Sequence, residues 1–281
     1  MFALFRRNLK IYFSNIPAVF MSCLGALISF FIYIGFLQNN LRSNWQQLPH
    51  VTKILDLWMI AGIVAVSGIA TAFQALGQQV SDRESRADAD FELTGISRFA
   101  ENFAYILSGT TVSFFMQIIT FIVMAIYFSL VDHITIPQSA YLPGLLYILV
   151  GAIAATLLDE ITVLFMHSST TFSRLSAVLG AAAGFAVATY LPYGILVSQA
   201  QSLVKLVPSS YEAAALRYFL LKQTLATFPA NVKRHLTNYL GIQFKMNNWR
   251  LNNMLVLLLM IAILILVIGL LSFITDRRSN K

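Results

Sequence analysis

The sequence predicts an all-α integral membrane protein with six transmembrane helices, an N-terminal interfacial helix, and re-entrant or interfacial helices between helices five and six. Three observations carry this. First, 58% of the 281 residues are hydrophobic and only 11% are charged, against roughly 25% charged in a soluble domain. With a mean hydropathy of +0.72, polar side chains are too few to cover a water-facing surface, which excludes both a soluble core and a disordered chain. Second, the charges divide the chain into long stretches that contain none: 11–41, 57–81, 102–131, 134–158, 175–204 and 251–275. Each is long enough to cross about 30 Å of hydrocarbon. Third, these runs are continuously apolar, whereas a membrane β-barrel needs alternation.

The elements follow in order. Phe2, Phe5, Leu9, Tyr12 and Phe13 recur at helical spacing with Arg6, Arg7 and Lys10 largely elsewhere, so 2–15 reads as a helix lying in the membrane interface. No small-residue cleavage site follows at the right distance, which argues against a cleaved signal. Spans are expected near 17–37, 57–78, 101–129, 142–166, 175–197 and 253–275. A cytoplasmic loop covers 79–98 and a long extracellular loop 199–250. Orientation rests on Arg6, Arg7, Lys10, Arg83, Arg86, Arg98, Arg174, Arg277, Arg278 and Lys281 falling inside, while the short outer loops hold only Arg42 and Lys53. Both termini are then cytoplasmic. Within the long loop, Tyr211–Leu220 combines helix formers with an apolar side, so it should dip into the outer membrane surface or lie on it. The helices and loops show no internal repeat, which weakens an inverted-repeat secondary transporter.

Little chemistry of the enzymatic kind is visible. The single Cys23 cannot form an internal disulfide, and His50, His133, His167 and His235 have no ligand spacing, so no metal is expected. The excess of 19 basic over 12 acidic residues points to topology and anionic lipid rather than to nucleic acid. Asp159 and Glu160 are the only acids well inside an expected span, and charge in lipid marks a functional candidate by default. They either belong to a structural ion pair or wet vestibule, or form a carboxylate site that receives cationic substrates or partners Arg174. Adjacent positions point about 100° apart on a helix, so at most one should face the interior. Gly180 and Gly184 in an alanine-rich run allow close helix packing, within the bundle, at a dimer interface or near a pathway. Pro192 and Tyr193 lie where the helix should break or bend. The basic outer segment suits anionic headgroups, cell-wall polymers or ordinary interfacial snorkelling.

The most informative loop runs from Gln79 to Arg98, where eight charges of both signs fall within 17 residues. Ser81 and Glu84 have capping-box spacing, and Gly95 can end the resulting helix. Such a helix either offers a grip to a soluble partner or simply keeps two spans apart.

At this point the sequence resembles a family. Val80-x-Asp82-Arg83-Glu84 followed by Leu93-Thr94-Gly95-Ile96-Ser97-Arg98 resembles the first cytoplasmic loop of type-2 ATP-binding-cassette exporter permeases, with Gly95 where the family often has proline. Leu206-Val207-Pro208-Ser209-Ser210-Tyr211 with Leu216-Arg217, and the serine-rich turn Ser168–Ser173, are similar to two further motifs of that family in the same order. The resemblance spans essentially the whole chain. It implies a transport subunit, not itself an enzyme, that works as a homodimer or heterodimer on two cytoplasmic ATPase subunits. The G-x-x-x-x-G-K-[ST] run is absent, so this chain carries no cofactor and ATP with Mg would be bound by the partner ATPase. Residues 82–92 would form the coupling helix, with Asp82, Arg83, Glu84, Arg86, Asp88 and Asp90 meeting the ATPase and Phe91 as anchor. Residues 191–194 would lie at an outer gate. The implied cargo is hydrophobic or amphiphilic (a drug, an antimicrobial peptide or a lipid), exported from a plasma membrane of bacterial type. Export of polysaccharide or lipid-linked polymer is the nearest rival, and an ion-coupled secondary transporter a more distant one.

Overall fold

The computed structural model describes residues 1–246, 249–250 and 252–279. Leu251 and Lys281 lie outside the described residues, as do the side chains of Glu92, Arg250, Arg277 and Arg278. Among the described residues the regular structure is helical apart from one short antiparallel pair, Lys245–Met246 with Trp249–Arg250. In order, the helices are α1 (Phe2–Ser14), α2 (Ile16–Ser22), α3 (Leu24–Ile32), α4 (Gln38–Asn44), α5 (Val51–Glu84), α6 (Ala87–Leu93), α7 (Arg98–Val131), α8 (Tyr141–Val163), α9 (Ser169–Ala186), α10 (Ser198–Leu206), α11 (Pro208–Ala226), α12 (Ala230–Tyr239) and α13 (Asn253–Ser279). Among the described residues, five helical stretches are long and apolar enough to cross a membrane: Leu24–Asn44, Val51–Glu84, Arg98–Val131, Gln138–Val163 and Asn253–Ser272. With the composition, they mark a membrane protein.

The bundle is built around α5. This helix is apolar on every side, so it has no face to give to the surroundings and is buried along nearly its whole length. It packs against α3, α7, α8, α9 and α11. By contrast, α7 and α13 leave long apolar faces uncovered, including Ile119, Ile122, Val123 and Ile126 on α7 and Ile263, Leu266 and Leu270 on α13.

A π-helical turn over Tyr33–Leu37 joins α3 to α4. In an α-helix, positions five apart point in different directions, but the wider turn brings Tyr33 and Gln38 to one side. Both donate to the same carboxylate oxygen of Asp56, at 2.6 and 2.9 Å. The second expected span, α5, starts at Val51 rather than 57, and encloses Asp56 near one end and Asp82 near the other. Asp159 and Glu160 are thus not the only acids within a crossing helix.

Three further expectations change. On α1 the buried stripe is Leu4, Asn8 and Tyr12, which packs on α7, while Phe2 and Phe13 stay exposed. Burial raises the pKa of Tyr12, whose hydroxyl shares a 2.7 Å hydrogen bond with Ser22. Second, the helix expected over 175–197 is α9, which is displaced toward the N-terminus and ends at Ala186. It ends because Ala188 adopts a left-handed φ of 50° and the chain folds back, Thr189 and Tyr190 both donating to the Gly184 carbonyl. A Cβ at Gly184 would overlap the Tyr190 ring, so glycine permits this reversal.

Third, of the two positions expected for α11, lying on a surface is excluded. Pro208–Leu216 is buried at every position, and the helix packs against α5, α8 and α13. The reason is its own sequence: Ala213, Ala214 and Ala215 bring its backbone close to neighbours on several sides at once. The 199–250 segment is therefore not a simple extracellular loop but supplies one of the most buried helices of the bundle.

Candidate functional site

Two regions concentrate buried polar groups. The first is the corner where α5 turns through α6 into α7. Arg7 of α1 donates to both carboxylate oxygens of Asp82, at 2.7 and 2.8 Å, and Asp82 also accepts from Gln78 at 2.7 Å and from Tyr105 at 2.5 Å. The hydrogen bonding to Asp82 holds the Arg7 guanidinium above its ordinary pKa, against some desolvation. The same guanidinium lies 5.3 Å from the centroid of the Phe91 ring on α6, a cation–π contact. Arg7 thus fastens α1, α5 and α6 together.

Of the seven expected coupling residues, the structure turns two inward. Asp82 is buried in the cluster just described, and Arg83 donates to the carbonyls of Val163 (2.9 Å) and Met166 (3.4 Å), closing the C-terminal end of α8. Glu84 is exposed, but its Oε2 accepts the first backbone N–H of α9, from Ser169, at 3.1 Å. Arg86 and Asp90 are exposed, and Asp88 and Phe91 are half-buried. The expected capping box does not form, because Ser81 lies inside α5. The corner falls instead at Arg86, at a left-handed φ of 63°. Gly95, at φ 82°, follows the end of α6, and Ser97 caps α7 by accepting from the Ala100 N–H.

The second region lies deeper. Glu160 accepts from Gln79 Nε2 at 2.9 Å, and the same nitrogen donates to Asn102 at 3.1 Å, so one amide links α5, α7 and α8. Asp159 is buried as well, so both members of the pair face the interior, not one. One oxygen of each carboxylate has no hydrogen-bond partner. Arg174 is exposed, and no hydrogen bond or ion pair joins it to either acid, so the expected partnership is absent. Adding a Cβ to Gly25 of α3 would bring it 2.7 Å from the Gly180 carbonyl oxygen; here two backbones meet. Gly184 backs the Tyr190 ring, and Pro192 opens a 3-10 turn, Tyr193–Ile195, in which the buried Tyr193 packs edge-on against Phe244 at 4.9 Å.

Two further buried charged residues lie on α11, away from the Glu160 cluster: Arg217, part of the Leu216-Arg217 motif, and Glu212, which was not among the expected site residues. Arg217 is fully buried and donates to the carbonyls of Val187 (3.2 Å) and Ala188 (3.0 Å), just past the end of α9, and to Leu240 (3.3 Å), just past the end of α12. Its guanidinium lies 5.1 Å from the Trp58 ring centroid, and Trp58 Nε1 donates to the same Leu240 carbonyl at 2.9 Å. A cation thus meets the negative end of α9 where the helix stops. Five residues earlier, Glu212 is fully buried and neither carboxylate oxygen has a partner. Its carboxyl fills the space that a side chain at Gly151 of α8 would occupy. The available signal was that Glu212 is the only acid in 199–250.

Among the described residues, no group of three or more His, Cys, Asp or Glu side chains is placed to hold a metal ion. Compared with known proteins, the chain matches no family model, and neither a curated protein sequence nor a solved structure gives a significant match.

Proposed function

We propose that the chain is the membrane subunit of an ATP-driven exporter, powered by a separate cytoplasmic ATPase and working with a second permease copy. The observation that carries this reading is the position of α6. It is a short acidic helix, entered through Arg86, placed between two 34-residue helices, α5 and α7, the first of which is the centre of the bundle. Force applied to α6 has a direct route to every helix packed on α5, and Arg7 ties α1 into the same corner through Asp82 and Phe91. Mixed charges give a docking surface its register more than its affinity. The contact residues narrow to Arg86, Asp88 and Asp90, since Asp82 and Arg83 are engaged inside.

In this reading α9 and α11 together make the sixth crossing, each covering part of the bilayer, with Arg217 satisfying the carbonyls exposed at the break. Non-helical backbone at membrane depth is tolerated when it is buried in protein in this way. The termini and α6 face the cytoplasm, and the cargo is hydrophobic or amphiphilic. Reversing Asp88 and Asp90 to lysine should release the ATPase from the purified complex while the permease keeps its melting temperature. Full retention of the ATPase would remove the coupling assignment.

The unpartnered buried acids favour one second reading, an ion-coupled transporter, because intramembrane carboxylates mark ion pathways. Transport that persists after the partner ATPase is inactivated would select it.

A further inference from the structure

The polar groups left without partners are not spread evenly. Thr189 Oγ1, Ser209 Oγ, both Glu212 oxygens and Arg217 Nε all belong to the segment that starts where α9 breaks and runs into the first turns of α11. A buried carboxylate with neither oxygen hydrogen-bonded is destabilising by several kcal/mol if charged. Such a group stays in a fold when something else neutralises it, at least in part of the working cycle. Arg217 does not do so, because its amino groups are committed to the carbonyls of Val187, Ala188 and Leu240.

The surroundings narrow what that something is. Glu212 is seated on Gly151 of α8, a position with no side chain to compete for its oxygens. Four and eight residues further along the same helix face come Ala155, buried, and Asp159, an acid that also has an unpartnered oxygen. Ala155 belongs to a cluster whose other members include Ala65, Ala72, Ala183 and Ala213, all small and apolar. Val66, Ile69 and Val187 complete the cluster, so the two acids bracket an apolar, alanine-rich seam among α5, α8, α9 and α11.

We infer that Glu212 is the cation-receiving group of a substrate site between α8 and α11, and that the exported molecule is a lipophilic cation. This deepens the exporter reading and rests on it. In the closed bundle the carboxyl is shielded against Gly151. When α8 and α11 separate, Glu212 meets the positive charge of the substrate while the alanine seam receives its apolar body. Asp159 provides a second negative position about 12 Å away, at 1.5 Å per residue.

The test measures saturable binding of radiolabelled tetraphenylphosphonium to the affinity-purified protein in lipid nanodiscs, with its co-purifying ATPase. Tetraphenylborate, of the same shape and opposite charge, is the control. Wild-type protein should bind the cation and not the anion. Glu212→Gln should weaken cation binding at least tenfold, and Glu212→Asp should keep it within about threefold. If Glu212→Gln does not purify, a hydrophobic carbodiimide applied to the wild-type protein should label Glu212, and tetraphenylphosphonium should protect it. Cation binding unchanged by Glu212→Gln, absence of protection, or equal binding of the anion would each overturn the proposal. Failure of the wild-type protein to bind the cation, with the ATPase still recovered, would sink the substrate class and leave the exporter reading standing. Glu212-dependent binding with no ATPase recovered would do the reverse.

Discussion

Arg7 grips Asp82 through both carboxylate oxygens, at 2.7 and 2.8 Å, across 75 residues of sequence. This pair joins the N-terminal helix to the central one at the point where the charged α6 departs. The guanidinium is about a third exposed, so solvent reduces the strength of the pair, but the two-point geometry and the extra bonds from Tyr105 and Gln78 keep it specific. A double-mutant cycle of Arg7→Ala and Asp82→Asn should return a coupling of about 1–3 kcal/mol in unfolding measurements. Additive effects would show that α1 is not held by this contact.

The contact of α3 with α9 makes an asymmetric prediction. A Cβ on Gly25 would lie 2.7 Å from the Gly180 carbonyl oxygen, whereas a Cβ on Gly180 meets nothing nearer than 3.9 Å. Gly25→Ala should therefore destabilise the protein by about 1–3 kcal/mol through overpacking, while Gly180→Ala should change the melting temperature little. Equal effects at the two positions would contradict the geometry.

Removing Arg217 leaves the Val187 and Ala188 carbonyls buried without this donor. Arg217→Met should cost about 2–5 kcal/mol, at about 1–3 kcal/mol for each carbonyl left unpaired. Lysine, a compact point charge, cannot span the carbonyls of Val187, Ala188 and Leu240 as the planar fork does. Arg217→Lys should thus recover only part of the loss. Full recovery by lysine in a thermal melt would show that charge alone matters there.

Arg86 turns the corner from α5 into α6 with a φ of 63°. A side chain at this backbone geometry costs roughly 1 kcal/mol relative to glycine. Arg86→Gly should leave the protein as stable or slightly more so, while removing one of the exposed charges assigned to the ATPase contact. The two effects separate cleanly: an unchanged melting temperature with weaker ATPase retention is expected, and a lowered melting temperature would contradict the strain argument.

Much of the architecture was legible from sequence because charge is so scarce in this chain. Wherever a charged residue interrupted an apolar run, a helix end or a buried polar contact lies nearby. What sequence could not show is which charges meet. Asp82 looks like a loop residue until Arg7 and Tyr105 reach it, and the continuation of α5 through Ser81 overrides a good local capping pattern. The early end of α9 turns on Gly184 accommodating Tyr190, a contact between a helix and the chain that follows it, invisible to a hydropathy window. Glu212 and Arg217 sit in an alanine-rich helix whose periodicity suggested a surface role. Only the packing of α11 against three neighbours shows it to be interior. Asp159 and Glu160 were visible as candidates, but that both point inward depends on α8 having neighbours on more than one side.

The central claim is that this chain works on a separate ATPase through α6. The most direct test is affinity purification of the tagged protein in mild detergent, with mass spectrometry of everything that accompanies it. An ATPase subunit is expected in about equal amount, lost when Asp88 and Asp90 are reversed to lysine. A stable protein recovered with no ATPase under those conditions would contradict it.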